Sequence, residues 1–452
     1  MPRRYNERMA QPPKPKLAKY APWIAVGTVG VIVGIAAVVF AFSPKTPSDQ
    51  SLVSASATTQ AVTAQTTTTL SSDWKSAAKD TTKIDAKLGA LPRHPIAGGF
   101  KPNKVKLEDC KGGDFQCLEQ AYGNLAFYEG PKVALARFDA DIANPGPIEQ
   151  NCHRIAHTIG SAGLERFKNK VGQAFAAGSS SCWSGYYHGI LEHAFQTENL
   201  QSFTSDELAR VSRKFCDDPV VRATNWIAYQ CVHGLGHGLM ITTELDLPLS
   251  LESCNKLANN WDQQSCKGGV FMENLSTSYG VESKYLKKDD LLYPCNAIKE
   301  GDKLYCYLMV TSYVLRQNGW NWDATAALCA GAEKNWVATC FQSYGRDASG
   351  STRQNAVDIL RLCGTAGNHG GQLDCILGAS KDMTANYNDG EKAARMCDLA
   401  PDGYKHSCYW AVGTISGGFT ATADDRLRDC QKYTSDANFV EACRLGANGY
   451  PM

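Results

Sequence analysis

Apolar and polar positions along the chain fall into three regimes. From Pro22 to Phe42 (PWIAVGTVGVIVGIAAVVFAF) there are 21 consecutive residues without a charge. At about 1.5 Å per residue that length crosses roughly 30 Å of hydrocarbon, so the stretch predicts a transmembrane helix. From Ser43 to Ser72 large apolar side chains thin out and Ser, Thr, Ala and Pro dominate, as in ATTQAVTAQTTTTLSS. Such a segment cannot bury enough surface to offset its ordering entropy, and it reads as a flexible stalk, a site for O-glycans. Beyond it, short amphipathic segments recur. NWDATAALC (Asn321 to Cys329), NDGEKAARMC (Asn388 to Cys397) and TADDRLRDC (Thr422 to Cys430) each run from an N-cap residue into a helix ending at cysteine. A loop follows, then a second cysteine opens an apolar helix, as in CYLMVTSYVL, CILGASKDM and CYWAVGTISGG.

The cysteines measure the repeat. From Cys216 onward they form close pairs, and the second members, from Cys231 to Cys443, recur at intervals of 35, 40, 34, 35, 33 and 35 residues. A period near 35 is that of an α-hairpin unit which buries its apolar face by stacking on its neighbours. The expected fold is all-α: a disulfide-stapled αα-hairpin repeat array, solenoid-like. In period and hairpin logic, though not in consensus residues, it resembles the αα repeat proteins such as the tetratricopeptide-like and Sel1-like solenoids. A bridge between consecutive cysteines would close a short loop within each unit and contribute about 3 kcal/mol in the chain-entropy model.

Composition then decides the compartment. All 18 cysteines lie between Cys110 and Cys443, beyond the apolar stretch, and an even number at this density suits an oxidising environment. Ahead of that stretch stand Arg3, Arg4, Arg8, Lys14, Lys16 and Lys19 against one acid, Glu7, which keeps the N-terminus in the cytoplasm. The expected layout is a basic cytoplasmic tail at 1–21, a membrane anchor at 22–42, a stalk at 43–100, a histidine-rich helical region at 101–245 and cysteine-paired repeats at 246–452, with the bulk of the chain outside the cell membrane. With 46 basic and 45 acidic residues, overall charge gives no sign of a nucleic-acid partner.

Six of the nine histidines fall between His153 and His237: His153, His157, His188, His193, His233 and His237. On a helix, residues i and i+4 share one face, so His153/His157, His188/Glu192 and His233/His237 can each converge on one ion. Their places in successive units would turn the three pairs toward a common site. Neutral imidazole with a carboxylate suits zinc, copper or iron, and the ligands suffice for two ions or for one ion with supporting groups. Bis-histidine haem ligation also fits the pairs, although a CxxCH attachment motif is absent. His193, also a candidate residue of the metal site, points to another helical face and would stand behind the ligating rings, and Glu192 and Glu273 (in CKGGVFMEN) are candidate catalytic acids or bases. Glycines three residues after cysteine, in CWSG, CVHG, CKGG, CILG and CRLG, suggest close helix packing. The sequon ENLS, Glu273 to Ser276, offers one N-glycan site.

Two functions fit this pattern. One is a membrane-anchored metalloprotein, with a hydrolase or an oxygenase as its enzymatic form; HExxH, G-x-S-x-G, P-loop and Rossmann signatures are absent. The other is an extracytoplasmic scaffold that binds proteins or glycans without catalysis.

Overall fold

The computed structural model describes residues 100–451 other than 112, 145, 180, 199–203 and 276–281. The basic tail, the apolar stretch at 22–42 and the stalk up to residue 99 lie outside the described residues. Within them are twenty α-helices and no strand, and none of these helices is long and apolar enough to cross a membrane.

Helices α1 (Phe115–Tyr128), α2 (Pro131–Ile142) and the single turn α3 (Pro147–Gln150) lead in. The histidine-bearing part follows as α4 (Cys152–Arg166), α5 (Val171–Ala176), α6 (Ser181–Thr197), α7 (Ser205–Cys216), α8 (Asn225–Thr242), α9 (Leu247–Asn255) and α10 (Asn260–Leu275). Next come α11 (Lys303–Met309) with α12 (Thr311–Gln317), then α13 (Trp322–Ala330), α14 (Val337–Ser351), α15 (Ala356–Gly367) and α16 (Gln372–Tyr387). The array ends with α17 (Glu391–Leu399), α18 (Asp402–Ser416), α19 (Ala423–Tyr433) and α20 (Ala437–Ala447).

Nine disulfides join consecutive cysteines, the pairing that the spacing predicts, and leave none free. From Cys216 on, six of them tie the end of an outer helix to the inner helix that follows. The second cysteine does not open that helix, however. Polar caps start it earlier: the Thr224 hydroxyl accepts from the Ile227 amide and the Asp436 carboxylate from the Asn438 and Phe439 amides. The bridge therefore grips α8, α10, α18 and α20 on their second turn. In the unit of Cys295 and Cys306, residues 282–299 form turns where a first helix is expected, and this is the unit with the 40-residue interval. Cys152–Cys182 is also different, since it joins two inner helices, α4 and α6.

Helices α1, α4, α6, α8, α10, α11, α14, α16, α18 and α20 pack side by side as an inner row, and the others lie outside them. Reciprocal glycines bring the inner helices together in pairs. A Cβ on Gly160 would lie 2.0 Å from the Tyr186 carbonyl oxygen, and one on Gly189 1.9 Å from that of His157. Gly236 and Gly269 (α8 with α10), Gly345 and Gly378 (α14 with α16), and Gly413 and Gly446 (α18 with α20) stand in the same relation to the partner backbone. Three of these, Gly269, Gly378 and Gly446, are among the glycines that follow cysteine by three, and close packing is what they provide. Backbone meets backbone because no side chain intervenes.

The row curls back on itself. The Trp226 amide at the start of α8 donates to the Gly418 carbonyl at 3.1 Å, the Trp226 ring meets Phe419 edge-on, and α16 touches α6. Its first three histidine helices thus come to face its C-terminal units across a cavity. Asn274 of the sequon is only 1% exposed and accepts from the Ser283 hydroxyl at 2.6 Å, so it is inaccessible to a glycan in the folded chain.

The glycine contacts give a paired prediction. Gly345→Ala, whose Cβ would lie 1.9 Å from the Cys375 carbonyl, should lower unfolding free energy by about 3 kcal/mol. Gly364→Ala in α15, where nothing lies within 4 Å, should raise it by about 0.5–1 kcal/mol. Urea unfolding of the two variants checks both signs.

Candidate metal centre

Three neighbouring inner helices carry the histidine pairs at matching heights. His153 and His157 lie on α4, His188 on α6, His233 and His237 on α8. The tight α4–α6 contact sets the first distance, since Gly189, next to His188, rests on the backbone of His157. Glycines also make room for the rings: a Cβ on Gly185 would come within 3.2 Å of His153 Nδ1, and one on Gly268 within 2.9 Å of His233 Nδ1.

Five of the six histidines therefore converge. His188 lies 5.3 and 5.6 Å, between ring centroids, from His153 and His157, and 5.2 and 4.2 Å from His233 and His237. Two triads result, His153/His157/His188 and His188/His233/His237, each offering three ligand atoms within 4.8 Å of one another. His188 belongs to both.

Four of these rings are oriented through Nδ1. That of His153 meets the Cys182 carbonyl at 3.0 Å, and that of His233 meets the Tyr229 hydroxyl at 3.3 Å. The Nδ1 atoms of His157 and His237 lie 3.1 Å from the Glu192 carboxylate and 2.9 Å from the Glu273 carboxylate. A carboxylate behind an imidazole fixes its tautomer and raises its basicity, the usual support of a metal ligand. Both glutamates are buried and take this orienting position, Glu192 from α6 behind α4 and Glu273 from α10 behind α8. His193 turns away, as its face on α6 requires, and its Nε2 lies 3.3 Å from Glu165. Tyr186 and Tyr187 are core residues: the Tyr186 hydroxyl donates to the Ala174 carbonyl at 2.8 Å, and Tyr187 stacks on Phe175.

Burial keeps His153, His188 and His233 in the neutral, ligating form. Burial, reinforced by neighbouring imidazoles, pushes His153 down to about 3 and holds His188 and His233 well below the usual histidine range. These rings are neutral, with lone pairs available. His188 is only 1% exposed, and among the described residues neither of its ring nitrogens has a hydrogen-bond partner; His237 Nε2 also lacks one. Leaving a buried donor unpaired costs about 1–3 kcal/mol. Among the described residues, no neutral arrangement of the protein alone satisfies His188, whereas ligation does. The donor set of neutral imidazoles with carboxylates behind them fits zinc, copper or iron.

His188 and His233 also line a cavity of about 570 Å³. Trp226, Tyr229, Trp261 and Tyr305 form aromatic walls, and Gln342, Arg346, Lys381 and Asp382 face the histidines from α14 and α16. Burial pulls Lys381 down to about 8 and pushes Asp382 up to about 7. The sequence holds no local signal for these residues: the units they sit in carry no histidine pair, and only the curl of the row brings them here.

The chain matches no family model, no curated protein and no solved structure with which it was compared.

Two outcomes follow from this geometry. Glu192→Gln and Glu273→Gln should each weaken metal affinity by about 10–100-fold while the helical fold is kept, as measured by competition with a chelator. Asp382 in the folded chain keeps a proton that the unfolded chain loses near the ordinary value of 3.8, so its contribution to stability should decline as pH rises from about 4 toward about 7. Asp382→Asn should flatten that decline in urea unfolding at pH 5 and 7.5.

Proposed function

We propose that this chain is a metalloprotein whose histidine centre acts on a small molecule held in the adjoining cavity. The observation that carries the reading is His188: fully buried, with neither ring nitrogen paired, at the point where two histidine triads meet. Oriented imidazoles, charge-compensating carboxylates behind them and a cavity on one side make up the parts of a metal site with room for a ligand. A zinc ion there would supply Lewis-acid activation of water, and copper or iron would supply dioxygen chemistry. The protein contributes the rest. Tyr229 holds His233, the aromatic walls give the cavity apolar sides, and Arg346 and Lys381 supply positive charge, with Asp382 as a hydrogen-bonding group, opposite the histidines to orient a polar substrate.

The same proposal places the centre outside a membrane, tethered by the apolar stretch at 22–42, because nine disulfides suit an oxidising compartment. A scaffold for proteins or glycans is the second reading. It draws less support, since the inner face of the array is drawn into a cavity of small-molecule size.

Metal analysis of the untagged full-length chain tests the proposal. We expect zinc, copper or iron in stoichiometric amount, reduced at least tenfold in affinity by His188→Ala. Wild-type protein that holds none of these and cannot be loaded with any would overturn it.

A further inference from the structure

We infer that the centre holds two metal ions bridged by the imidazolate of His188, with one ion facing the cavity and the other shielded from it. The inference rests on the metal-binding reading above and adds the number of ions, the bridge and their unequal access.

The ligand inventory leads there. His153, His157, His233 and His237 are each held at Nδ1 by a carbonyl, a carboxylate, a hydroxyl and a carboxylate in turn. That leaves Nε2 of each ring as the ligand atom. The Nε2 atoms of His153 and His157 already converge to 3.2 Å, and that of His237 is buried without a partner. The four divide into two i/i+4 pairs on separate helices, α4 and α8, with α6 between them. Among the described residues only His188 belongs to both triads, and it is the one ring of the five with no hydrogen-bond partner at either nitrogen.

A neutral imidazole has one lone pair and one N–H. If His188 served a single ion, its N–H would remain buried without an acceptor. When both nitrogens ligate, that hydrogen leaves to solvent as a proton and both valences are filled. Charge supports the same count. Two divalent cations would meet three negative charges, those of Glu192, Glu273 and the imidazolate, so little net charge would be buried. The carboxylates divide evenly as well: Glu192 stands behind one triad through His157 and Glu273 behind the other through His237.

The two positions differ in access. Among the described residues, the cavity lining includes His188 and His233 but neither His153 nor His157. The ion held by His233 and His237 therefore borders the cavity, where it can take a small anionic or polar ligand. The ion held by His153 and His157 lies away from that lining, next to the partly exposed His153. Histidine-only donors on a shared imidazolate suit copper(II) and zinc.

Copper(II) titration of the metal-free, untagged full-length chain decides the matter. We expect two ions per chain. The doubly loaded copper form should lose most of its electron paramagnetic resonance intensity through coupling across the bridge, and a form with one copper and one zinc should show the full signal of one spin. His157→Ala and His237→Ala should each hold one ion. Near-UV circular dichroism of the variants checks that they fold, and the wild-type comparison stands without them. One ion per chain, or two coppers with two independent spins, would overturn the bridge while keeping the metal reading. Failure to load any ion would remove both.

Discussion

The structure depends on a contact in which two helix backbones touch with nothing between them. At Gly160/Gly189, Gly236/Gly269, Gly345/Gly378 and Gly413/Gly446, a hydrogen on Cα is all that separates one inner helix from the carbonyl of the next. Such closeness is unforgiving, because a single methyl group would overlap the partner oxygen. The disulfides hold the connecting loops short, so that each inner helix is presented to its neighbour at a set height. Neither device alone would place side chains to within an ångström; together they do so in every unit that carries both. The histidine centre takes advantage of a precision that the whole array already has.

Much of this was legible in the sequence. The cysteine intervals report the unit length and the pairing, because short loops closed by consecutive cysteines leave few other partners within reach. The i/i+4 spacing of His153/His157 and of His233/His237 reports one helical face, and recurrence in successive units reports convergence. His193 separates from the set as its position next to Glu192 requires. The position of Glu192 is less obvious. It shares a face with His188, yet it reaches across to His157, since the neighbouring helix is nearer to its carboxylate than the ring one turn away on its own helix.

Other features were out of reach for physical reasons. The inner helices start at caps several residues before the second cysteine, and a hydroxyl such as that of Thr224 is a weaker textual mark than a cysteine. The first glycine of three of the tight pairs, Gly236, Gly345 or Gly413, follows its cysteine by five, a register that makes sense only once the partner helix is known. The cavity is the clearest case. Arg346, Lys381 and Asp382 lie more than a hundred residues from the histidines they face, and that closeness is a property of how far the row turns per unit.

That turn has a consequence for the number of units. Open solenoids lengthen or shorten by duplication, since each unit touches only the next one along. Here the end of the array returns to an early helix, with Trp226 bonded to Gly418 and stacked edge-on against Phe419. One more hairpin, or one fewer, would carry that seam past its partner. The repeat count in this chain is thus locked by geometry, as the number of staves is in a barrel.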